Sequence, residues 1–261
     1  DTAPREVISV RHLWAGYEQE IVLQDVTLSV KERDFVGIIG PNGAGKTTLF
    51  HLISGFYRPD KGRIEFDGED VTGWSPYKLF RRGLYRTFQI PRAFAEMTVL
   101  ENLMLVPGGQ CGEWIWNPLF RPRRVRSQEF KVQRRALEVL EFVGLEHLAE
   151  APAQSLSGGQ KKLLELARAL MAEPRMVLLD EPGAGVNPTL MNKLADRIRS
   201  LAREHGVTVF LIEHDMDLVM NLCDPIIVMS EGAVLTAGSP AVVREDPRVI
   251  EAYLGGQYAV A

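Results

Sequence analysis

The chain has 261 residues, which suits one large domain or two small ones, and 46% of them are hydrophobic, ample for a packed core. Its 30 Lys and Arg against 34 Asp and Glu leave a net charge of −4, so no global basic field recommends nucleic acid as the partner. Cys111 and Cys223 stand far apart without metal-ligand spacing, no apolar run approaches the ~18–20 residues of a membrane span, and Asp1–Val10 lacks a signal-peptide pattern; the expectation is a soluble intracellular protein in a reducing cytosol.

In chain order, Ile8–Val10 with Leu13, and Ile21–Val30 with alternating Val26, Leu28 and Val30, read as strands. Tyr17 lies between them, an aromatic that either stacks on a base or simply packs. Val36, Ile38 and Ile39 then form a short β-rich run, long enough for a buried parallel strand. It ends in Gly40-Pro41-Asn42-Gly43-Ala44-Gly45-Lys46-Thr47, which fits the phosphate-loop spacing G-x-x-x-x-G-K-[ST] at every fixed position. Thr48, Leu49, Phe50, Leu52 and Ile53 follow at helical intervals. Each residue type has a physical reason. The glycines let the backbone turn tightly and bring N–H groups against phosphate oxygens. The following helix points its positive end at the same anion. Lys46 is placed to reach the β- and γ-phosphates, and the Thr47 hydroxyl to ligate Mg²⁺. The stretch binds a nucleoside triphosphate.

Gly62–Gly68 alternates with period two and reads as a hairpin strand; Ser75-Pro76 opens a short helix with Ser75 capping. From about residue 84 to 157 helical patterns dominate. Thr98–Leu105 begins with a capping box, a Thr with Glu three residues on. Residues 107–126 form a loop with Trp114, Trp116 and four arginines. An amphipathic helix over about 127–143 places Phe130, Ala136, Leu137, Leu140 and Val143 on its apolar side. Strands return at Arg175–Asp180, Val207–Ile212 and Pro225–Met229, with helices at about 188–204 and 215–222 between them. Strand alternating with helix means a parallel sheet covered on both faces, here interrupted by a helical insertion.

Met176–Asp180 is an apolar strand that delivers Asp180 and Glu181 at its C-terminal end, where open α/β sheets place ligands. Asp180 is suited to hold Mg²⁺ and Glu181 to polarise an attacking water. Leu156-Ser157-Gly158-Gly159-Gln160 opens a further helix, about 157–171, whose N-terminus can also bind an anion. The first site already has its own phosphate cradle, and that surplus invites a trans arrangement, one copy's helix facing the other copy's nucleotide.

At this point the order of motifs resembles the ATP-binding-cassette (ABC) ATPases over about residues 7–255. Gly40–Thr47 resembles that family's Walker A motif, Gln89 its Q-loop, Leu156–Gln160 its signature, and Met176–Asp180 with Glu181 its Walker B. His214 resembles the switch histidine and Tyr17 the adenine-stacking aromatic. The resemblance implies an α/β fold: a P-loop NTPase core of mixed and parallel sheet (about 5–88 and 158–238), an antiparallel β subdomain, an inserted helical subdomain (about 89–157) and a helical tail (239–261). It implies nucleotide contacts from Tyr17, Gly40, Pro41, Asn42, Gly43, Ala44, Gly45, Lys46, Thr47 and Thr48, and Mg²⁺ held by Thr47, Gln89 and Asp180. Glu181, His214 and Gln89 are its catalytic group, with Ser157, Gly158, Gly159 and Gln160 supplied in trans. One departure is Asn187, where the family commonly has Asp. His12, His51, His147 and His205 have no such company and are read as structural.

The span between the phosphate loop and the signature is too short for the coiled coils of chromosome-maintenance relatives. A single cassette without a membrane span implies a second ATPase subunit, two transmembrane permease subunits and, indirectly, a periplasmic or extracellular solute-binding protein, at the cytoplasmic face of the membrane and with no nucleic acid. Arg86–Arg92, Met97–Leu103, the 107–126 loop, Asp180–Pro188 and the ending Val249–Gly255 resemble the branched-chain (hydrophobic) amino-acid importer ATPases. The alternative is the lipopolysaccharide-export ATPase, which shares the Asn/Asp-Pro phrase; a nucleic-acid-acting ABC ATPase is the alternative of another class. Phe94, Met97, Val99 and Leu100 suggest a surface for a membrane-subunit helix. Arg121, Arg123, Arg124 and Arg126 suggest either contact with anionic headgroups or a solvated loop.

Overall fold

The structure, a computed structural model, describes residues 5–17, 20–87, 93–108, 122–184 and 188–258. They divide into two compact units, one drawn from 1–86, 174–183 and 199–261, the other from 87–173 and 184–198.

The first unit holds two sheets. One is antiparallel, in the order β2(Glu20–Lys31)–β1(Glu6–Tyr17)–β4(Lys61–Phe66)–β5(Glu69–Asp70). The other runs β10(Ala233–Gly238)–β9(Ile226–Ser230)–β3(Phe35–Ile39)–β8(Thr208–Ile212)–β7(Met176–Asp180)–β6(Leu84–Arg86). From β9 to β6 the pairing is parallel, and β10 adds an antiparallel edge. Strands β3, β7 and β8 are buried at every residue, which is why they read as continuous apolar runs rather than alternating ones. Helix α1(Lys46–Ile53) buries Leu49, Phe50, Leu52 and Ile53, and the Phe50 ring lies 5.1 Å from that of Phe210 on β8. A single apolar cluster joins α1 to both sheets through Ile8, Val10, Leu13, Ile38, Ile64 and Phe66. Helix α2(Pro76–Arg82) starts at Ser75 as the sequence suggests, although the Ser75 side chain makes no capping bond.

The second unit is helical. It takes in 158–173 and 184–198 besides the 89–157 expected. Helix α3(Val99–Met104) carries the expected capping box between Thr98 and Glu101. Fully buried Asn102 clamps the preceding turn: its Oδ1 accepts from Phe94 N at 2.8 Å, and its Nδ2 donates to Phe94 O and Thr98 O at 3.0 and 2.9 Å. Helix α4(Pro122–Val143) starts earlier than expected and buries Val125, Ala136, Val139, Leu140 and Val143. Phe130 and Leu137 are 67% and 42% exposed, contrary to the apolar side assigned to them. Phe130 sits six residues before Ala136, about 240° around the helix, so the two belong to different stripes. Helix α5(Gly158–Met171) buries Leu163, Leu164, Leu166 and Leu170. Val99 and Leu100 are also buried, so of the proposed partner surface only Phe94, 53% exposed, and half-buried Met97 face outward.

Helices α6(Pro188–His205), α7(Met216–Leu222), α8(Pro240–Glu245) and α9(Pro247–Tyr258) complete the chain. Among the described residues no helix is long and apolar enough to cross a membrane.

Candidate functional site

The strand order β3–β8–β7 decides which residues meet. All three are parallel, so their C-terminal ends lie on one edge, with the end of β8 between the other two. The loop 40–45 leaves β3, Glu181 follows β7, and Glu213 and His214 follow β8.

The loop is shaped by its glycines. Gly40 has φ +153° and would meet the Met229 carbonyl oxygen with any Cβ; Gly45, the N-cap of α1, has φ +89° and would meet Leu23. A side chain is thus excluded at both by conformation and by contact. No side chain caps α1, which leaves the helix N-terminus behind the loop suited to an anion. Lys46 folds back over the loop, its Nζ donating to Gly40 O at 2.8 Å and to Pro41 O at 2.9 Å. Burial pushes the Lys46 ammonium below its ordinary pKa, and the Glu181 carboxylate opposes that shift. The two groups are therefore within electrostatic reach. Thr47 is exposed at the helix start, Thr48 half-buried, and Gly43 has open space about it.

Asp180 is buried at the end of β7 and paired with Arg86 of β6, whose Nη2 donates to Asp180 Oδ2 at 2.8 Å. Both side chains are under 10% exposed, at 6% and 7%. Arg86 also donates to Ser54 Oγ at 2.9 Å, and its guanidinium lies 5.5 Å over the Phe56 ring. His51 of α1, read as structural from sequence, lies within electrostatic reach of this pair. Burial lowers its pKa first, then Arg86, with Asp180 opposing.

Glu181 has φ +49°, a left-handed conformation rare for a residue with a side chain. Its Oε1 lies 2.7 Å from His214 Nε2, so a proton on that nitrogen is donated to the carboxylate. Glu213, 5% exposed, accepts from Gly183 N at 2.6 Å and from His214 N at 3.1 Å. Arg86 and Glu213 belong to none of the sequence motifs, yet the structure places both at the site. The one signal in the sequence is a charge at the C-terminal boundary of a strand, Arg86 ending β6 and Glu213 directly following β8.

In the second unit, Ser157 and Gln160 form a capping box at the start of α5: Ser157 Oγ accepts from Gln160 N at 3.3 Å, and Gln160 Oε1 from Ser157 N at 2.9 Å. Ser157 and Gly158 are exposed, Gly159 and Gln160 half-buried. Gln89, Asn187, Trp114, Trp116 and Arg121 lie outside the described residues, as do the side chains of Tyr17, Arg123 and Arg124.

The described residues contain no group of three or more His, Cys, Asp or Glu side chains able to cage a metal. The oxygen donors present, the Thr47 hydroxyl and the Asp180 carboxylate, suit a hard cation shared with phosphate oxygens rather than a protein-only metal site.

The sequence pattern of the family described as "ABC transporter" matches residues 23–184, and that of "Branched-chain amino acid ATP-binding cassette transporter" matches 233–259. The high-affinity branched-chain amino acid transport ATP-binding protein BraF of Pseudomonas aeruginosa is 42% identical over 96% of this chain and 98% of its own length. The probable branched-chain amino acid transport ATP-binding protein LivG of Archaeoglobus fulgidus is 40% identical over 97% of this chain and 96% of its own. Among solved structures, the ADP conformation of an ATP-binding cassette of an ABC transporter superposes with a TM-score of 0.81 at 36% identity, covering 96% of this chain and 99% of that one. With the loop, the two strand-end carboxylates and the capped glycine helix in place, the chain belongs to the ABC transporter family, as one of its ATP-binding-cassette ATPases.

Proposed function

We propose that this ATPase powers the import of branched-chain or other hydrophobic amino acids, or related small solutes, as a peripheral subunit at the cytoplasmic face of a membrane. The partners are a second cassette, two membrane permease subunits and, indirectly, a solute-binding protein. The observation that carries the catalytic reading is the Glu181–His214 pair, held at the strand edge within electrostatic reach of Lys46. The names of the two transport relatives, each matching over nearly its whole length, support the solute class.

The backbone N–H groups of Gly40 and Asn42–Thr48 and the Lys46 ammonium hold the phosphates, Pro41 having no N–H to offer. Tyr17 stacks on the adenine. Thr47, Asp180 and Gln89 would hold Mg²⁺, which would supply positive charge to the phosphate oxygens. Glu181 orients and polarises the attacking water, and His214 fixes the carboxylate and faces the γ-phosphate.

Ser157, Gly158, Gly159 and Gln160 serve the nucleotide of a second copy. Gly158 supports this reading. A Cβ there would meet nothing within 4 Å, and its φ lies outside the left-handed region. Among the described residues nothing crowds Gly158, which suits a surface that packs on it from outside. ATP then favours the closed pair over the open one, and hydrolysis releases it.

Glu181→Gln tests the reading. It keeps shape and hydrogen bonding but removes the charge that polarises water. ATP affinity persists, turnover falls by a factor of order 10²–10⁴, and the variant accumulates as a dimer with Mg-ATP in size-exclusion chromatography. Wild-type turnover in Glu181→Gln would overturn it.

A further inference from the structure

The main-chain ladder between β7 and β8 continues one step past the strands, where Glu181 N donates to Ile212 O at 2.9 Å. Beyond that point Pro182 has no N–H, and the next donor on the β7 side is Gly183. It is met by a side chain: Glu213 Oε1 accepts from Gly183 N at 2.6 Å. The other oxygen of the same carboxylate accepts from His214 N at 3.1 Å. His214 Nε2, at 2.7 Å from Glu181 Oε1, closes the ring through residues 181, 183, 213 and 214.

Two features show that this ring carries a cost. Glu213 is 5% exposed, and a buried carboxylate is unfavourable unless hydrogen bonds compensate its lost hydration. Its charge is felt nearby, since the Cys223 thiol is pushed up by burial first and by Glu213 second. Glu181 is held at φ +49°, a conformation that persists only when its surroundings over-determine it. Glutamine could not replace the carboxylate, because it offers one acceptor to two N–H donors.

We propose that Glu213 is a positioning residue for ATP hydrolysis: it clamps the Glu181–Gly183 turn to the His214 main chain and so aims the Glu181 carboxylate. This rests on the reading of Glu181 as the group that activates water. Glu213 accepts from the main chain of Gly183 and His214, so its loss acts on the aim of Glu181 and leaves nucleotide binding alone.

The test uses the full chain in four forms: wild type, Glu213→Gln, Glu181→Gln and the double variant. Misplacing a reacting group by about 1 Å costs on the order of 10²-fold, so Glu213→Gln lowers kcat roughly 10- to 100-fold. KM for ATP and the affinity for a fluorescent ATP analogue stay within about twofold, which also reports that the variant is folded. In the Glu181→Gln background the second substitution lowers the residual rate no further, because the group it aims is already disabled. If Glu213→Gln binds no nucleotide, Glu213→Asp, which keeps the charge but is one methylene short of Gly183, is read by the same criteria. Loss of nucleotide affinity in both variants would make Glu213 a folding residue and overturn the proposal. So would full additivity in the double variant, or wild-type turnover in Glu213→Gln while Glu181→Gln is slow. Wild-type turnover in Glu181→Gln would instead remove the catalytic reading itself, and the positioning role with it.

Discussion

Two helices of this chain begin in glycine-rich turns, and their glycines sit in different surroundings. At the start of α1 the chain itself imposes them: Gly40 and Gly45 are in positive-φ conformations, and a Cβ at either would strike its own neighbours. At the start of α5, Gly158 has open space and an ordinary φ. The capping differs as well. Helix α1 has no side-chain cap, whereas α5 satisfies two of its terminal groups with the Ser157–Gln160 box. Around α1 both carboxylates have partners within the chain, Asp180 the Arg86 guanidinium and Glu181 the His214 imidazole. On the proposed reading, the phosphate loop serves its own chain's nucleotide and the open Gly158 face of the signature helix serves that of a second copy.

The largest effect that would sharpen this contrast lies in the internally paired region. Arg86→Met leaves the Asp180 carboxylate buried without its cation, and chemical denaturation should show a loss of about 3–5 kcal/mol. Adding Asp180→Leu should restore most of it, since an apolar pair can replace a buried ion pair at little cost. A single variant as stable as wild type would mean the pair is not desolvated as the geometry requires. Next comes Gly45→Ala, where positive-φ strain alone costs about 1–3 kcal/mol and the contact with Leu23 adds to it; thermal unfolding reads the drop. Gly158→Ala should do the opposite, leaving stability unchanged or raised by up to about 1 kcal/mol while ATP turnover falls. Equal destabilisation by the two alanines would break the comparison. The smallest stability effect is expected at exposed Phe94: Phe94→Asp should stay within about 1 kcal/mol of wild type, loss of its Arg168 contact included. Basal ATPase should persist and transport by the assembled complex should fail.

Sequence made the first region legible because its requirements are local. Gly40–Thr47 is one contiguous spacing, and β3, β7 and β8 announce themselves as unbroken apolar runs. Arg86 was not legible as a partner of Asp180, because 94 residues separate them and only the β6–β7 pairing brings them together. Glu213 was hidden for a related reason, since its role depends on the missing N–H of Pro182 across the β7–β8 pair. In the helical unit, the capping boxes at Thr98 and Ser157 were readable from three-residue spacings. The outward faces were not. The sequence pattern puts Phe130 and Leu137 inward and Val99 and Leu100 outward, because apolar spacing marks candidate faces while the packing of neighbouring elements decides which of them is covered.

The central claim is that the phosphate loop works in its own chain and the signature helix in its partner's. Complementation tests it most directly. Lys46→Ala should weaken ATP binding roughly 10- to 100-fold by removing a hydrogen bond to charged phosphate. Gly158→Asp should fold normally, since an acid at a helix N-terminus is tolerated, but should repel a nucleotide that arrives against it. Each variant alone should be nearly inactive. Mixed in equal amounts with Mg-ATP, the two form pairs in which one site carries both defects and the other carries neither. The predicted result is turnover well above the sum of the two variants measured apart. Turnover no greater than that sum would contradict the trans arrangement and return the signature helix to its own chain's nucleotide.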